Sequence, residues 1–260
     1  MVKKFNGRKL ATVKEAKLKE KVSLLKQKGI TPKLMSIIVG DDPASKLYVS
    51  LKKKAAEKIG AKLEIKKFQA NTLTNQLIKL IKDLNNDESI HGVMVQLPLP
   101  DNFSKKDRNQ IINSISTEKD VDGMRDDSSF LTPVVKVVIE VIQQANKYLP
   151  TDREANVSVV GTGGFIGKKI VKVLKEMGYQ IKKETLQADI LISATGEPKL
   201  IKKDMVKKGA VVIDIGAPVG DVDKEVHQKA SFITPVPGGV GVVTITCLLE
   251  NLIEAASARD

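Results

Sequence analysis

Two patterns in this chain pair residue types with spacings that suit chemistry. Tyr48 and Lys52 stand four apart, behind Asp42-Pro43-Ala44-Ser45. On a helix that spacing puts both side chains on one face. A lysine works as a general base only when held neutral, and a neighbouring tyrosine hydroxyl can position and polarise it. A solvated surface pair has the same spacing. The second pattern is Val157-Ser158-Val159-Val160 followed by Gly161-Thr162-Gly163-Gly164-Phe165-Ile166-Gly167. Glycines between a strand and a helix let the backbone turn tightly and approach a pyrophosphate, while the helix start offers free N–H groups. Such loops often have an acid about 20 residues on that binds ribose hydroxyls. Glu184, after a strand near 179–183, stands where that acid belongs. Lys182 and Lys183 beside it can instead receive a 2′-phosphate, and a solvated strand end fits as well.

These groups need a scaffold, and strands alternate with helices along most of the chain. A helix is expected over 10–28 with Gly29 ending it, a strand over 34–39, a helix to Ile59 and a strand over 62–68. A helix from Thr74 to Leu84 and a strand over 91–97 follow. Residues 131–148 read as one long helix opened by Pro133. Alternation restarts with the strand over 157–160, a helix over 166–177, strands near 179–183, 190–194 and 211–215, and an amphipathic helix over 243–256. The expected class is α/β: two α/β lobes joined by long helices, the second a Rossmann-like parallel sheet. The expected domains are 1–130, completed by the C-terminal helix 241–260, and 150–236.

Composition narrows the function classes. The chain has 260 residues and 42% hydrophobic content, enough for a proper core. No run approaches the roughly 18 unbroken apolar residues of a membrane helix, and the polar, basic start does not read as a secretory signal. Cys247 is the only cysteine, which excludes an intrachain disulfide and a thiolate metal site; a buried helix position is expected for it. The acid pairs Asp41/Asp42 and Asp120/Asp122 lack His or Cys at ligand spacing, so no metal is expected, and His91 and His227 are read as structural. The net charge of +12 is concentrated in residues 1–70, with 19 Lys/Arg against 6 Asp/Glu. A lysine-rich solvated surface or a field that draws in a small polyanion explains it. Nucleic acid suits it poorly, because 38 Lys stand against 5 Arg and aromatics are only 3%. A soluble cytoplasmic enzyme, with no nucleic-acid or membrane partner, is the expectation.

A short-chain dehydrogenase also uses Tyr-x-x-x-Lys, but its glycine loop comes first; here the order is reversed. Three further segments give the pair its context: Val95-Gln96-Leu97-Pro98-Leu99-Pro100, Lys119-Asp120-Val121-Asp122-Gly123 and Thr234-Pro235-Val236-Pro237-Gly238-Gly239-Val240-Gly241. With Val39-Gly40-Asp41-Asp42-Pro43-Ala44-Ser45 and the Tyr48/Lys52 pair, this ordered set resembles the bifunctional methylenetetrahydrofolate dehydrogenase/methenyltetrahydrofolate cyclohydrolase family, over about 7–253. The resemblance implies oxidation of 5,10-methylenetetrahydrofolate with NAD or NADP, then hydrolysis of the methenyl form to 10-formyltetrahydrofolate. It implies that Lys52 is catalytic, that Tyr48 stacks on or orients the folate, that Gln96 supports Lys52 and that Asp122 binds the pterin edge. Val95, Leu97 and the wall Pro237, Gly238, Gly239, Val240 and Gly241 complete the substrate set. The cofactor set is Gly161, Thr162, Gly163, Gly164, Phe165, Ile166, Gly167, Glu184, Thr195, Gly196 and Ala217. The family also implies a homodimer, tetrahydrofolate substrates that can carry polyglutamate tails, and a site in the cleft between the lobes.

The chain departs from the family on the cofactor side. Gly-Arg-Ser-x-x-Val-Gly-x-Pro becomes Gly161-Thr162-Gly163-Gly164-Phe165-Ile166-Gly167-Lys168-Lys169, without the Arg, Ser or Pro. The Cys-His-Ser segment expected between Tyr179 and Ala188 is missing, Val242 replaces a proline, and a Pro-Cys-Thr-Pro segment is reduced to Leu131-Thr132-Pro133. NAD is therefore favoured over NADP, and a cyclohydrolase with impaired dehydrogenase activity is the alternative.

Overall fold

The computed structural model describes residues 2–258. In chain order it contains β1 (Lys3–Lys4), α1 (Gly7–Gln27), β2 (Lys33–Val39), α2 (Pro43–Ile59), β3 (Lys62–Phe68), α3 (Thr74–Asn86), β4 (Gly92–Val95) and α4 (Lys105–Asn113). There follow α5 (Pro133–Ala145), β5 (Asn156–Val160), α6 (Phe165–Glu176), β6 (Gln180–Lys182), β7 (Ile190–Ser193), β8 (Val211–Asp214), β9 (Phe232–Ile233) and α7 (Val240–Ser257). The chain divides into two units. One holds Val13–Pro133 and Ile245 onward, here the N-terminal unit; the other holds Met1–Thr12 and Val134–Thr244, here the central unit. The division falls inside α1 and α7, so both helices belong to both units.

The N-terminal unit is built on a parallel sheet of order β3-β2-β4. β2 is the middle strand and is buried along almost its whole length, as a strand covered on both faces must be. One face packs Leu34 and Ile38 with Leu18, Val22 and Leu25 of α1, Val49, Ala56 and Ile59 of α2, and Leu248, Leu249, Leu252 and Ile253 of α7. The other packs Ile37 and Val39 with Leu77 and Ile81 of α3 and Ile111 and Ile112 of α4. Among the described residues α7 is the one helix long and apolar enough to cross a membrane, and 61% of it is buried within the protein. Its apolar side is core, and Cys247 is buried in it.

The central unit carries a parallel sheet of order β1-β9-β8-β7-β5-β6. Starting from β5, the strands run second, first, third, fourth, fifth. The order therefore reverses between β5 and β7. In open parallel sheets the crevice beyond the strand ends at such a point is where ligands bind.

The structure departs from the expected elements at several places. The helix expected over 131–148 ends at Ala145 and closes in a 3-10 turn, Asn146–Tyr148. The last helix begins at Val240 rather than 243, so Val240 and Gly241 form its first turn. α4 was not expected at all; its signal is the capping box of Ser104 and Asp107, in which each residue takes the other's backbone N–H. The first twelve residues, expected with the first lobe, group with the central unit because β1 adds to β9 and Phe5 packs on Phe232. Residues 259–260, at the end of the expected C-terminal helix, lie outside the described residues.

Candidate active site

Lys52 sits where a core residue would sit. The buried residues of α2 are Ser45, Val49, Ala56 and Ile59; Lys52 fills the remaining position of that helical stripe. Asp42 starts the helix by accepting the Ser45 N–H at 2.6 Å, with Pro43 in the first turn, and Gly60 ends it in the left-handed conformation. Burial pushes the Lys52 ammonium below its ordinary pKa, while the negative charge of Asp122 opposes the shift. Its Nζ donates to Gln96 Oε1 at 3.0 Å and lies 3.9 Å from Met94 Sδ. Gln96 is itself held. Its backbone N–H donates to Ile37 O of β2 at 2.8 Å, and its Nε2 donates to Leu97 O at 2.7 Å. Its amide oxygen is thus turned toward the amine. Tyr48 is exposed one turn before Lys52; the hydrogen bond that orients the amine comes from Gln96 instead. Val95 is buried and Leu97 half-buried at the same strand end.

Asp122 is set by its neighbours in the 119–123 segment. Lys119 is fully buried, and its Nζ donates to Leu84 O and Asp87 O at 2.8 and 2.7 Å, closing the end of α3. The Val93 N–H of β4 donates to Lys119 O at 2.8 Å. Asn251 of α7 donates to Val121 O at 2.8 Å. Asp120 is buried and accepts the Met124 and Arg125 N–H groups at 3.1 and 2.8 Å. Its pKa is pushed up to about 6, chiefly by burial, against the pull of those N–H bonds. Gly123 turns the chain at φ 62°, where a Cβ would strike the Thr132 backbone nitrogen. Of the two acids, Asp120 is structural and Asp122 is left half-buried on the side of Lys52 whose charge it influences.

In the central unit, Gly161 leaves β5 at φ 94°, and a Cβ there would run into the Ala194 carbonyl. This close approach joins the loops after β5 and β7 at the reversal of strand order. Gly164 is the N-cap of α6, and Thr162, Gly163 and Gly164 are exposed ahead of its first turn. A Cβ on Gly163 would meet nothing within 4 Å. Its glycine is not demanded by packing, so the opening suits a bound pyrophosphate at the helix start. Phe165 and Ile166 are half-buried in the first turn and Gly167 is buried against Gly161. Thr195 and Gly196 follow β7, Ala217 is exposed after β8, and Glu184 is exposed two residues beyond β6. Pro237, Gly238 and Gly239 form the turn that enters α7.

Family models match both parts of the chain: tetrahydrofolate dehydrogenase/cyclohydrolase, catalytic domain, over residues 5–122, and the NAD(P)-binding domain of the same family over 132–260. The chain belongs to the tetrahydrofolate dehydrogenase/cyclohydrolase family. It is 41% identical to the bifunctional protein FolD of Moorella thermoacetica, with 97% of this chain and 98% of that one covered. The alignment spans 279 residues, more than this chain has, so that relative carries residues missing here. The crystal structure of the Campylobacter jejuni FolD methylenetetrahydrofolate dehydrogenase/cyclohydrolase superposes with a TM-score of 0.91 at 37% identity, covering all of both chains. The Trypanosoma brucei dehydrogenase-cyclohydrolase, solved with NADP and an inhibitor, gives a TM-score of 0.88 at 29% identity, over 99% and 98% of the two chains. As a member of this family the chain is a methylenetetrahydrofolate dehydrogenase and methenyltetrahydrofolate cyclohydrolase with an NAD(P)-binding domain.

The N-terminal unit of this dehydrogenase/cyclohydrolase brings Lys52, Gln96 and Asp122 together. The central unit brings the glycine loop together with Thr195. Two residues that sequence reading missed organise the second group. Asp214, the last residue of β8, is buried and accepts the Gly216, Asp221 and Val222 N–H groups at 2.9, 3.0 and 3.0 Å. Burial raises its pKa, against those bonds. Asp221 is fully buried, and its Oδ2 accepts from Ser193 Oγ at 2.9 Å, Thr195 N at 2.8 Å and Gly196 N at 3.3 Å. Gly-Asp-Val-Asp at 220–223 was a visible signal, but nothing in its spacing tells a buried acid from a solvated one. His91 is buried at the start of β4, and its Nδ1 accepts the Lys33 N–H at 3.2 Å.

Proposed function

We propose that Lys52 is the proton carrier of the cyclohydrolase step, with Gln96 and Asp122 setting its state and the substrate's place. The observation that carries this reading is a lysine amine on the buried stripe of α2, held by Gln96 and with its pKa lowered by burial. An amine in that state takes up a proton at a pH where an exposed lysine stays charged. In the reaction, water oxygen bonds to the cationic methenyl carbon and gives a proton to Nζ of neutral Lys52. The ring carbon–nitrogen bond then breaks, the remaining hydroxyl proton passes to the freed nitrogen, and 10-formyltetrahydrofolate forms with one proton released overall. The Asp122 carboxylate accepts N–H bonds from the pterin edge, and Tyr48 lies along the substrate. Val95 and Leu97 line the folate.

A bound nicotinamide would supply the acceptor for a hydride from the folate's methylene carbon. The residues that hold it in this reading are Gly161–Gly167, Thr195, Gly196 and Ala217, with Glu184 at the adenosine ribose. The support is the open space at Gly163 ahead of α6 and the position of the loop at the reversal of strand order. NAD is used at least as well as NADP. Thr162 stands where an Arg would pair a 2′-phosphate, and Glu184 accepts bonds from a free 2′-hydroxyl and repels a phosphate. Lys182, at the end of β6, and the exposed Lys183 pull the other way. The enzyme acts in the cytoplasm as a homodimer, and the lysine excess of residues 1–70 favours folates with polyglutamate tails.

The experiment follows methenyltetrahydrofolate absorbance with NAD and with NADP. The expected result is a rate with NAD at least equal to that with NADP, and a Glu184→Gln variant that gains relative activity with NADP. A tenfold preference of the wild type for NADP, about 1.4 kcal/mol, contradicts the cofactor assignment.

A further inference from the structure

The cofactor crevice is bounded by two loops, and only one of them is held by glycine packing. The glycine loop after β5 is fixed by its own turn and by the contact of Gly161 with Ala194. The loop after β7, Ala194-Thr195-Gly196, needs something to fix it in turn. Its backbone N–H groups at Thr195 and Gly196 point inward, to a carboxylate from a different part of the chain. That carboxylate is Asp221, which also takes the hydroxyl of Ser193 at the end of β7.

We propose that Asp221 is a positioning residue for the nicotinamide-nucleotide site: it holds the Thr195–Gly196 loop at the height at which that loop meets the cofactor. The inference rests on the reading that this loop faces the nucleotide. The bonds form a relay across three adjacent strands. Asp214, at the end of β8, takes the backbone N–H of Asp221 and of Val222 and so fixes where the Asp221 side chain starts. Asp221 Oδ2 then collects three donors from β7 and its loop. Ala194 in that loop abuts Gly161 of the β5 loop. A carboxylate is suited to the task because one oxygen can accept several N–H and O–H bonds, and bonds to a charged acceptor are about twice as strong as neutral ones. Gly216 is part of the same device: a Cβ there would collide with Asp221 Oδ1. Among the described residues the buried Oδ1 has no hydrogen-bond partner, so the side chain is placed for the sake of Oδ2. This assigns a purpose to one acid of the 220–223 segment in the hydride-transfer half of the enzyme only. Lys52, Gln96 and Asp122 belong to the other unit.

The two activities of the full-length protein make the test. Asp221→Ala is expected to raise KM for both NAD and NADP at least tenfold, with kcat/KM for methenyltetrahydrofolate hydrolysis within twofold of wild type. Asp221→Asn keeps an acceptor oxygen toward Thr195 and Gly196 and places its amide where Oδ1 has no partner; it is expected within threefold of the wild-type nucleotide KM. Ser193→Ala removes one donor without touching the carboxylate and supplies the reading if Asp221→Ala does not fold; about a threefold rise in nucleotide KM is expected. An unchanged nucleotide KM in Asp221→Ala, or in Ser193→Ala if that is the variant measured, overturns the inference. So does an equal loss of both activities, which marks Asp221 as structural only. Gly163→Glu is measured alongside. If it raises nucleotide KM while the Asp221 variants do not, only the positioning role fails; if all are flat, the cofactor reading beneath it fails.

Discussion

At the scale of single residues, the account turns on the electrostatic balance around Lys52. Desolvation lowers its pKa and the charge of Asp122 raises it. Replacing Asp122 by Asn removes the opposing charge, so the Lys52 pKa falls further and its neutral form is reached at lower pH. The rising limb of the pH profile for methenyltetrahydrofolate hydrolysis is expected to move to lower pH in Asp122→Asn. KM for the folate is expected to rise about 10–100-fold, the equivalent of one charged hydrogen bond at roughly 1.5–3 kcal/mol. A limb that stays in place, with KM unchanged, removes Asp122 from both roles. The ordered motifs in the sequence named Lys52, Gln96 and Asp122 as candidates, and the fold brings these three together. Tyr48 shares a helix face with Lys52, and Lys52 donates to Gln96, 44 residues away, which is the support that the resemblance implied. The stronger signal lay in the helix period: 45, 49, 52, 56 and 59 form one stripe, and a lysine in its middle is a charge the fold must keep under-solvated. Asp221 was not legible, because burial decides its role and burial is a product of the whole sheet.

At the scale of elements, β4 and the 119–123 segment carry the site. β4 pairs with β2 on one side and bonds Lys119 O on the other, so the positions of Gln96 and Asp122 are two consequences of one strand. Lys119 joins that segment to the end of α3 through two backbone carbonyls. Lys119→Met keeps the length and loses both bonds, leaving the carbonyl of buried Leu84 without that donor. A loss of about 1–3 kcal/mol in unfolding free energy is expected, read as a lower urea midpoint with an unchanged slope. A midpoint equal to wild type contradicts the structural role given to Lys119. The long elements were legible from their periods, because two-sided burial of β2 and one-sided burial of α3 leave plain patterns. Short elements were not. β1 and β9 contain two residues each, too few to show alternation, and α4 is marked by its capping box more than by any apolar stripe. The strand order of the central sheet has no local signature at all; it emerges only when β6, β5 and β7 pair.

At the scale of the molecule, the division of residues between the units mirrors the division of chemistry. The side chains proposed for proton movement lie in the N-terminal unit, and the loops proposed for the nucleotide lie in the central unit. In the sequence, intact substrate motifs stand beside an altered cofactor loop; the two family models match residues 5–122 and 132–260, whereas the end of α7 groups with the N-terminal unit. The most direct test of the central claim is the rate of methenyltetrahydrofolate hydrolysis by Lys52→Met, measured beside nucleotide binding and thermal unfolding. Methionine fills the same stripe of α2 without an amine. The account predicts a loss of at least the roughly 10²–10⁴-fold typical of general acid–base catalysis, with nucleotide binding and fold retained. Hydrolysis at a near-normal rate by the folded variant would contradict it.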